Sequence, residues 1–320
     1  MIVTVTANPS IDQTLYLPGF LERDSVHRLT GHESVAGGKG INVSVALHKA
    51  DVPTKAIFPA HADDYFIGLL NRTGVPQRRV DIAGQVRTNV TLCEPDGTTT
   101  KLNEGGAELS ADERAAFEHA ILEEAREADI VVFAGSLPPG LPADWYAHMV
   151  RVLRRETPKV LIYVDTSDRP LQELAASFPE TAPDLIKPNA FELGQILGID
   201  GNALETAGKD GSYGPVIEAA NTLQAKGVQL ALITLGAAGA LLVSPEGSFL
   251  ATPPPTDPIS TVGAGDSSLA GFLRARHLGK PMVESAAMAV AYGSAATALP
   301  GTTIPAPDQI NLEQTAARAL

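Results

Sequence analysis

Short β-branched apolar runs alternating with amphipathic stretches constrain this chain more than any other feature. Ile2–Thr6, Ile130–Phe133, Val160–Val164, Leu185–Ile186 and Leu230–Thr234 read as strands buried on both faces, the pattern of parallel sheets. Between them lie stretches of helical period. In residues 111–127, Phe117, Ile121, Leu122 and Ala125 fall on one face, and residues 39–50, 266–277 and 283–298 carry similar stripes. This alternation predicts an α/β fold with a doubly wound, mainly parallel sheet and helices on both faces. Ligands in such folds sit beyond the carboxyl ends of the strands. All 320 residues are expected to form one domain.

Two segments interrupt the alternation. Residues 12–34 and 86–103 contain short alternating strands, Thr14–Leu17, Val26–Leu29, Thr88–Leu92 and Thr99–Leu102, with the turn signal Asp96-Gly97. Neither contains a good helix. They predict one small sheet that leaves the main domain in two excursions and forms a lid over its site; peripheral hairpins without function are the alternative. Asp200–Gly214, rich in Gly, Asn and Ser, reads as a mobile surface loop, and a short final helix is expected after Pro307. The Pro-rich Thr252–Thr256 reads as an extended lead-in to the glycine turn that follows it.

Composition excludes several classes of function. A net charge of −13 argues against a nucleic-acid or anionic-membrane partner. An anionic substrate therefore needs local basic side chains or backbone amides. The single cysteine, Cys93, rules out an internal disulfide framework, and its strand-like surroundings suggest a packed thiol. The seven histidines show no metal-ligand spacing. No run approaches the ~20 apolar residues of a membrane span, and the start of the chain has no signal-like pattern, so a cytoplasmic location is expected.

Two glycine-rich turns open onto helices. Ser260-Thr-Val-Gly-Ala-Gly-Asp266-Ser sets the amides of Gly263, Ala264 and Gly265 directly before a carboxylate, with an apolar helical stripe following. The first N–H groups of a helix lack intrahelical partners and form an anion site, so Asp266 is positioned to take a proton while the amides hold a phosphoryl group. Asp266 as a simple cap is the competing reading. Ala36-Gly-Gly-Lys-Gly-Ile-Asn-Val43 is the second turn. It fails the Walker pattern, because Lys39 is followed by Gly40 rather than Ser or Thr. Gly37 and Gly38 permit close backbone approach, Lys39 adds a charge, and Asn42 can hydrogen-bond a hydroxyl, which suits a phosphorylated polyol. A tight turn before a buried helix is the alternative.

Further candidates fall at strand ends and on the small sheet. Asp12, following the first strand, can accept two vicinal hydroxyls. Arg87, Lys101 and Asn103 lie on the small sheet and can supply positive charge and hydrogen bonds to a substrate phosphate, or be solvated strand residues. Ala134-Gly-Ser-Leu-Pro-Pro-Gly140 places Ser136 toward the same edge. Lys187-Pro-Asn-Ala-Phe-Glu192 puts Asn189 and Glu192 on one side of a helix start, able to organise Mg²⁺ through water or to form a capping box. Thr234-Leu-Gly-Ala-Ala-Gly239 suits a nucleotide lying across its backbone. No Gly-x-Gly-x-x-Gly fingerprint follows the first strand, which counts against a dehydrogenase.

Gly-Gly-Lys-Gly-Ile-Asn-Val, Gly-Ser-Leu-Pro-Pro-Gly, Ile-Lys-Pro-Asn-x-x-Glu-Leu and Ser-Thr-Val-Gly-Ala-Gly-Asp-Ser occur here in one order. Over nearly its whole length the chain thereby resembles the PfkB (ribokinase-like) carbohydrate kinases. Within them it is most similar to the branch acting on fructose 1-phosphate, particularly the actinobacterial form. The supporting runs are Thr4–Asp12, Arg87-Thr-Asn, Glu94–Asn103 and Gly293–Thr297. The resemblance implies ATP-dependent phosphorylation of fructose 1-phosphate at its 6-hydroxyl, with Asp266 as base and an anion hole at Gly263, Ala264 and Gly265. It implies a sugar-phosphate site of Asp12, Gly38, Lys39, Asn42, Arg87, Lys101, Asn103 and Ser136. ATP would lie along Thr234, Gly236 and Gly239, near Lys187, Ser260 and residues 289–297, with Mg²⁺ organised by Asn189 and Glu192. Some relatives use a monovalent cation such as K⁺, and the lid implies a homodimer. Fructose 6-phosphate or tagatose 6-phosphate as substrate, and a non-catalytic sugar-phosphate sensor, are the rival readings.

Overall fold

Strand order in the main sheet sets where a ligand can bind. The computed structural model describes residues Met1–Leu320. Fourteen strands run in chain order as β1 (Ile2–Val5), β2 (Ser10–Tyr16), β3 (Gly31–Gly37), β4 (Thr54–Ala60), β5 (Gln77–Asp81), β6 (Arg87–Cys93), β7 (Thr99–Asn103), β8 (Ile130–Ala134), β9 (Leu161–Asp165), β10 (Leu185–Ile186), β11 (Leu230–Thr234), β12 (Ala240–Ser244), β13 (Gly247–Thr252) and β14 (Ala316–Ala319). Ten form one sheet in the order β14-β13-β12-β11-β10-β9-β8-β1-β4-β5. From β11 to β5 every pairing is parallel, whereas β12, β13 and β14 add an antiparallel margin. The chain winds outward from β1 through β4 to β5, then returns to β8 on the other side. The crevice beyond the carboxyl ends of β1 and β8 is therefore the topological switch point, where open sheets bind ligands.

Alternation within each strand packs both faces. Val3 and Val5 of β1 enter a core with Phe117, Ile121, Trp145 and Met149, from helices 111–125 and 145–156. Ile2 enters the opposite core, where helices 39–49, 264–277 and 282–297 contribute Ile41, Val45, Leu269, Phe272 and Ala286. A third cluster packs Leu193, Leu204, Val216 and Leu223 against Ala231 and Ile233 of β11. Close helix contact needs small residues: a Cβ on Gly271 would lie 2.4 Å from the carbonyl oxygen of Met288.

A second, four-stranded sheet has the order β3-β2-β6-β7, so the two expected excursions do combine into one small sheet. Its second strand differs from expectation. Val26–Leu29 is irregular, with Val26 87% exposed, and the strand lies instead at Gly31–Gly37. The antiparallel register pairs Gly31 with Tyr16 and Gly37 with Ser10, so the pairing strand must run directly into the glycine turn before helix 39–49. Pro18 and Gly19 interrupt the chain between the two strands.

Two other expectations are overturned. Asp200–Gly214 is not a loop: Asp200 caps helix 201–209, its Oδ1 accepting the amides of Asn202 and Ala203 at 3.0 and 3.2 Å. Burial of Leu204 and Gly208 stabilises that helix despite its Gly- and Asn-rich composition. After Pro307 there is only a single 3₁₀ turn, followed by β14, which pairs with β13 at the sheet margin. Backbone pairing at an open edge prevails over the Ala-rich local preference for helix. No helix is long and apolar enough to cross a membrane.

Candidate active site

Two helix N-termini, one from each half of the chain, meet at the switch point. Helix 39–49 follows Gly38, whose φ of 114° suits glycine and whose Cβ would stand 2.8 Å from Thr6 Cγ2. Helix 264–277 follows Gly263, at φ 78°. Its first ladder bond runs from Ser267 N–H to the Gly263 carbonyl at 2.8 Å, and Ala264 N–H reaches back to Thr261 at 3.4 Å. The amides of Gly265 and Asp266 head the helix with no intrahelical acceptor behind them. Both helix dipoles place positive potential here, which offsets the chain's negative charge locally.

The helices are joined by a side-chain bond. Asn42 Nδ2 donates to Asp266 Oδ2 at 2.8 Å, and Asp266 is 6% exposed. Burial first, and then Asp165, push the Asp266 carboxyl up to about 6; Lys39, the Asn42 hydrogen bond and Lys187 pull the other way. A carboxylate with that affinity takes up a proton more readily than an ordinary aspartate.

Asp165, at the carboxyl end of β9, binds two lysines. Its Oδ1 lies 3.0 Å from Lys39 Nζ, and its Oδ2 lies 3.0 Å from Lys187 Nζ. Burial disfavours the charges on Lys39 and Asp165, yet attraction to their partners outweighs it. The Lys39 ammonium is raised above its ordinary value and the Asp165 carboxyl is held below its own. Lys187 also reaches the Gly263–Gly265 turn, its Nζ lying 3.2 Å from where a Cβ on Gly265 would stand. Asp165 is absent from the sequence-derived site. The signal that marks it is a strand, Leu161-Ile-Tyr-Val-Asp165, ending in a carboxylate where open sheets bind ligands.

The small sheet adds a second set of polar side chains at the switch point. Asp12 Oδ1 accepts from Ser10 Oγ at 2.8 Å and from Asn89 Nδ2 at 3.1 Å. Gly37 leaves it room, as a Cβ there would stand 2.2 Å from Asp12 Oδ2. Arg87 bridges both sides of the switch point, donating to the Asn8 carbonyl at 3.4 Å, to Ser136 Oγ at 3.3 Å and to the Glu104 carbonyl at 3.1 Å. Burial lowers its affinity for its proton, with Asp12 and Glu104 opposing. Asn8 donates to Ser136 Oγ at 3.2 Å and to the Gly105 carbonyl at 3.1 Å. It is a further residue that sequence reasoning missed, signalled only by its place after β1. Lys101 and Asn103 remain exposed on β7, and their side chains make no hydrogen bond within the chain.

At the carboxyl end of β11, Thr234 forms a parallel bridge with Asn189, and Gly236–Ala238 is one 3₁₀ turn. Gly239 has φ 100°, and its Cβ would lie 2.0 Å from the Ala251 carbonyl oxygen, so no other residue fits. Ser260 Oγ donates to the Gly301 carbonyl at 2.8 Å and accepts from Val262 N–H at 3.2 Å. Asn189 and Glu192 form a reciprocal capping box: Glu192 N–H donates to Asn189 Oδ1 at 2.7 Å, and Asn189 N–H donates to Glu192 Oε2 at 2.9 Å. Glu192 Oε1 stays outside the box and can face a hydrated cation. No group of three His, Cys, Asp or Glu side chains converges as a direct metal cage.

A doubly wound sheet with a second, small β-sheet, and a buried aspartate heading a helix after a Gly-Ala-Gly turn, define a ribokinase-like carbohydrate kinase. The pattern of the pfkB family carbohydrate kinases matches residues 5–309, and the chain belongs to that family. The 1-phosphofructokinase of Rhodobacter capsulatus is 34% identical over 313 residues, covering 97% of this chain and 94% of the relative. That of Escherichia coli K12 is 34% identical over 274 residues, covering 85% and 83%. Among solved structures, phosphofructokinase-2 from Escherichia coli in complex with substrates and products superposes with a TM-score of 0.85 at 28% identity, covering 96% of each chain. Ribokinase from Arabidopsis thaliana, at 19% identity and a TM-score of 0.72 over 96% of each chain, shares the fold.

Proposed function

We propose that this protein transfers the γ-phosphoryl group of ATP to the 6-hydroxyl of fructose 1-phosphate, giving fructose 1,6-bisphosphate and ADP. The observation that carries the reading is Asp266, buried at a helix N-terminus and held by Asn42 from the opposite glycine turn. As the bond from the sugar oxygen to phosphorus forms and the bond from phosphorus to the β,γ-bridging oxygen breaks, Asp266 accepts the hydroxyl proton. The transition state is loose, so alignment and charge stabilisation count for more than the strength of the base. The amides at Gly263, Ala264 and Gly265 would stabilise the transferring group, that of Ala264 giving up its long 3.4 Å bond to the Thr261 carbonyl. Gly38, Lys39, Arg87 and Ser136 would bind the sugar phosphate, with Lys101 and Asn103 contributing on lid closure; Asp12 and Asn42 would bind hydroxyls. Closure excludes water as a competing acceptor.

ATP would lie along Thr234–Gly239, with Lys187 at its phosphates and Ser260 and residues 289–297 nearby. Asn189 and Glu192 would hold Mg²⁺ through water, and the ion would supply charge neutralisation at the phosphates. A potassium complex of phosphofructokinase-2 from Escherichia coli motivates testing K⁺ as activator. Exposed Phe20, Leu21, Val26, Leu29 and Leu102 on the lid support a homodimer through that sheet, to be tested by light scattering. A cytoplasmic location accords with these substrates.

The choice of fructose 1-phosphate rests on Lys39 and on the relatives' names. The likeness to phosphofructokinase-2 favours fructose 6-phosphate as the second reading. ADP-release assays giving kcat/KM on fructose 1-phosphate, fructose 6-phosphate and tagatose 6-phosphate decide between them. A preference for either 6-phosphate overturns the choice, and ligand binding without ADP release would point to a sensor.

A further inference from the structure

The cluster of Asp165, Lys39, Lys187 and Asp266 contains a carboxylate that the proposed reaction does not use. Asp165 is 1% exposed, and neither lysine has another ion-pair partner. Lys39 heads the helix that carries Asn42, whereas Lys187 follows the neighbouring strand β10 and reaches the turn at Gly265. Its backbone N–H donates to the Val164 carbonyl at 3.1 Å, next to Asp165 in the chain. The two ammonium groups thus come from unconnected parts of the fold, on flexible stems, and would repel each other without the carboxylate between them.

We propose that Asp165 is a positioning residue for phosphoryl transfer, its two oxygens clamping Lys39 on the sugar side and Lys187 at the anion turn so that both cations stand fixed beside Asp266. The charge balance supports this role. The charged groups facing Asp266 are Lys39, Asp165 and Lys187. With Asp266 ionised the four charges sum to zero; once Asp266 takes the hydroxyl proton, the cluster carries one positive charge beside an anionic product. Without Asp165 the cluster would already be positive, and Asp266 would be a weaker base.

The kinetic arm of the test rests on the reaction proposed above; the titration arm does not. Asp165→Asn keeps the shape and removes the charge. Its folding is checked by circular dichroism and thermal melting. In the free protein, the ¹³C carboxyl resonance of Asp266 should titrate about one pH unit lower in Asp165→Asn. In assay with fructose 1-phosphate, kcat should fall about 100-fold, with the acid limb of its pH profile displaced downward in step. Asp165→Glu retains the charge but displaces both lysines, so kcat should fall while the acid limb stays at the wild-type position. An unchanged Asp266 titration in folded Asp165→Asn overturns the proposal, as does a loss of kcat with an unmoved acid limb. Should the Asn variant not fold, wild-type kcat in Asp165→Glu overturns it. If the wild type phosphorylates no fructose phosphate, the reaction reading fails and the titration still decides the role of Asp165.

Discussion

Asn42 Nδ2 donates to Asp266 Oδ2 at 2.8 Å, linking residues 224 positions apart in the chain. One lies in the first turn of helix 39–49 and the other in the first turn of helix 264–277, so this bond ties the two helix N-termini to each other.

Replacing Asp266 by Asn should lower kcat by about 10²–10⁴-fold, with KM for ATP close to wild type, because the base is lost and the nucleotide contacts are not. The same change should stabilise the fold at pH 7. Asp266 binds its proton more tightly folded, at about 6, than unfolded, near 3.8. Stability therefore falls as pH rises between those values, and the deficit is complete above them. Removing the charge recovers about 1–3 kcal/mol, read by denaturant unfolding at pH 7. A variant equally active, or less stable, contradicts the assignment.

The acid limb of the kcat/KM profile should fall near pH 6, because Asp266 must be ionised to accept a proton. Asn42→Ala removes a hydrogen bond that favours the ionised form, so its limb should move to higher pH. A limb that moves down, or stays, shows that Asn42 does not support the base.

Arg87→Ala should raise KM for the sugar phosphate by about tenfold or more, and KM for ATP little, since a lost charge-assisted hydrogen bond costs about 1.5–3 kcal/mol. Lys39→Ala should act in the same direction. Steady-state kinetics with each substrate varied separately checks this, and equal, negligible effects would mean that the phosphate is held elsewhere.

Gly37→Ala tests the fit around Asp12. A new Cβ would stand 2.2 Å from Asp12 Oδ2, so the carboxylate must move from its bonds with Ser10 and Asn89. We expect a raised KM for the sugar phosphate with ATP binding preserved, measured by calorimetry with each ligand. Unchanged sugar binding would remove Asp12 from the site.

Glu192→Ala separates the two roles of the Asn189–Glu192 pair. Loss of the capping box should cost about 1 kcal/mol of stability, seen in denaturant unfolding. A metal role predicts in addition a higher Mg²⁺ concentration for half-maximal rate. Destabilisation with an unaltered Mg²⁺ dependence would leave the pair as a cap alone.

The strand-helix alternation, both glycine turns and the paired excursions were legible because each has a local cause: period, φ-tolerant glycines and turn residues. Val26–Leu29, with Val26 its one β-branched residue, has no strand to pair with, whereas Gly31–Gly37, weak in propensity, lies opposite β2. Helix 201–209 was hidden by its composition and is stabilised by burial of Leu204. Lys101 and Asn103 belong to the small sheet as expected, but strand membership alone does not bring their side chains to the others.

The sequence by itself determined the class of fold, the two helix-heading turns and the carboxylate after Gly-Ala-Gly, because these depend on residues adjacent in the chain. Only the tertiary structure decided that Asn42 meets Asp266, that Arg87 spans Asn8 and Ser136, and that Asp165 joins Lys39 to Lys187. Those contacts depend on sheet order, which brings the ends of β1, β8 and β9 together, and on burial, which makes each charge depend on its neighbours. Neither is a property of any one segment of the chain.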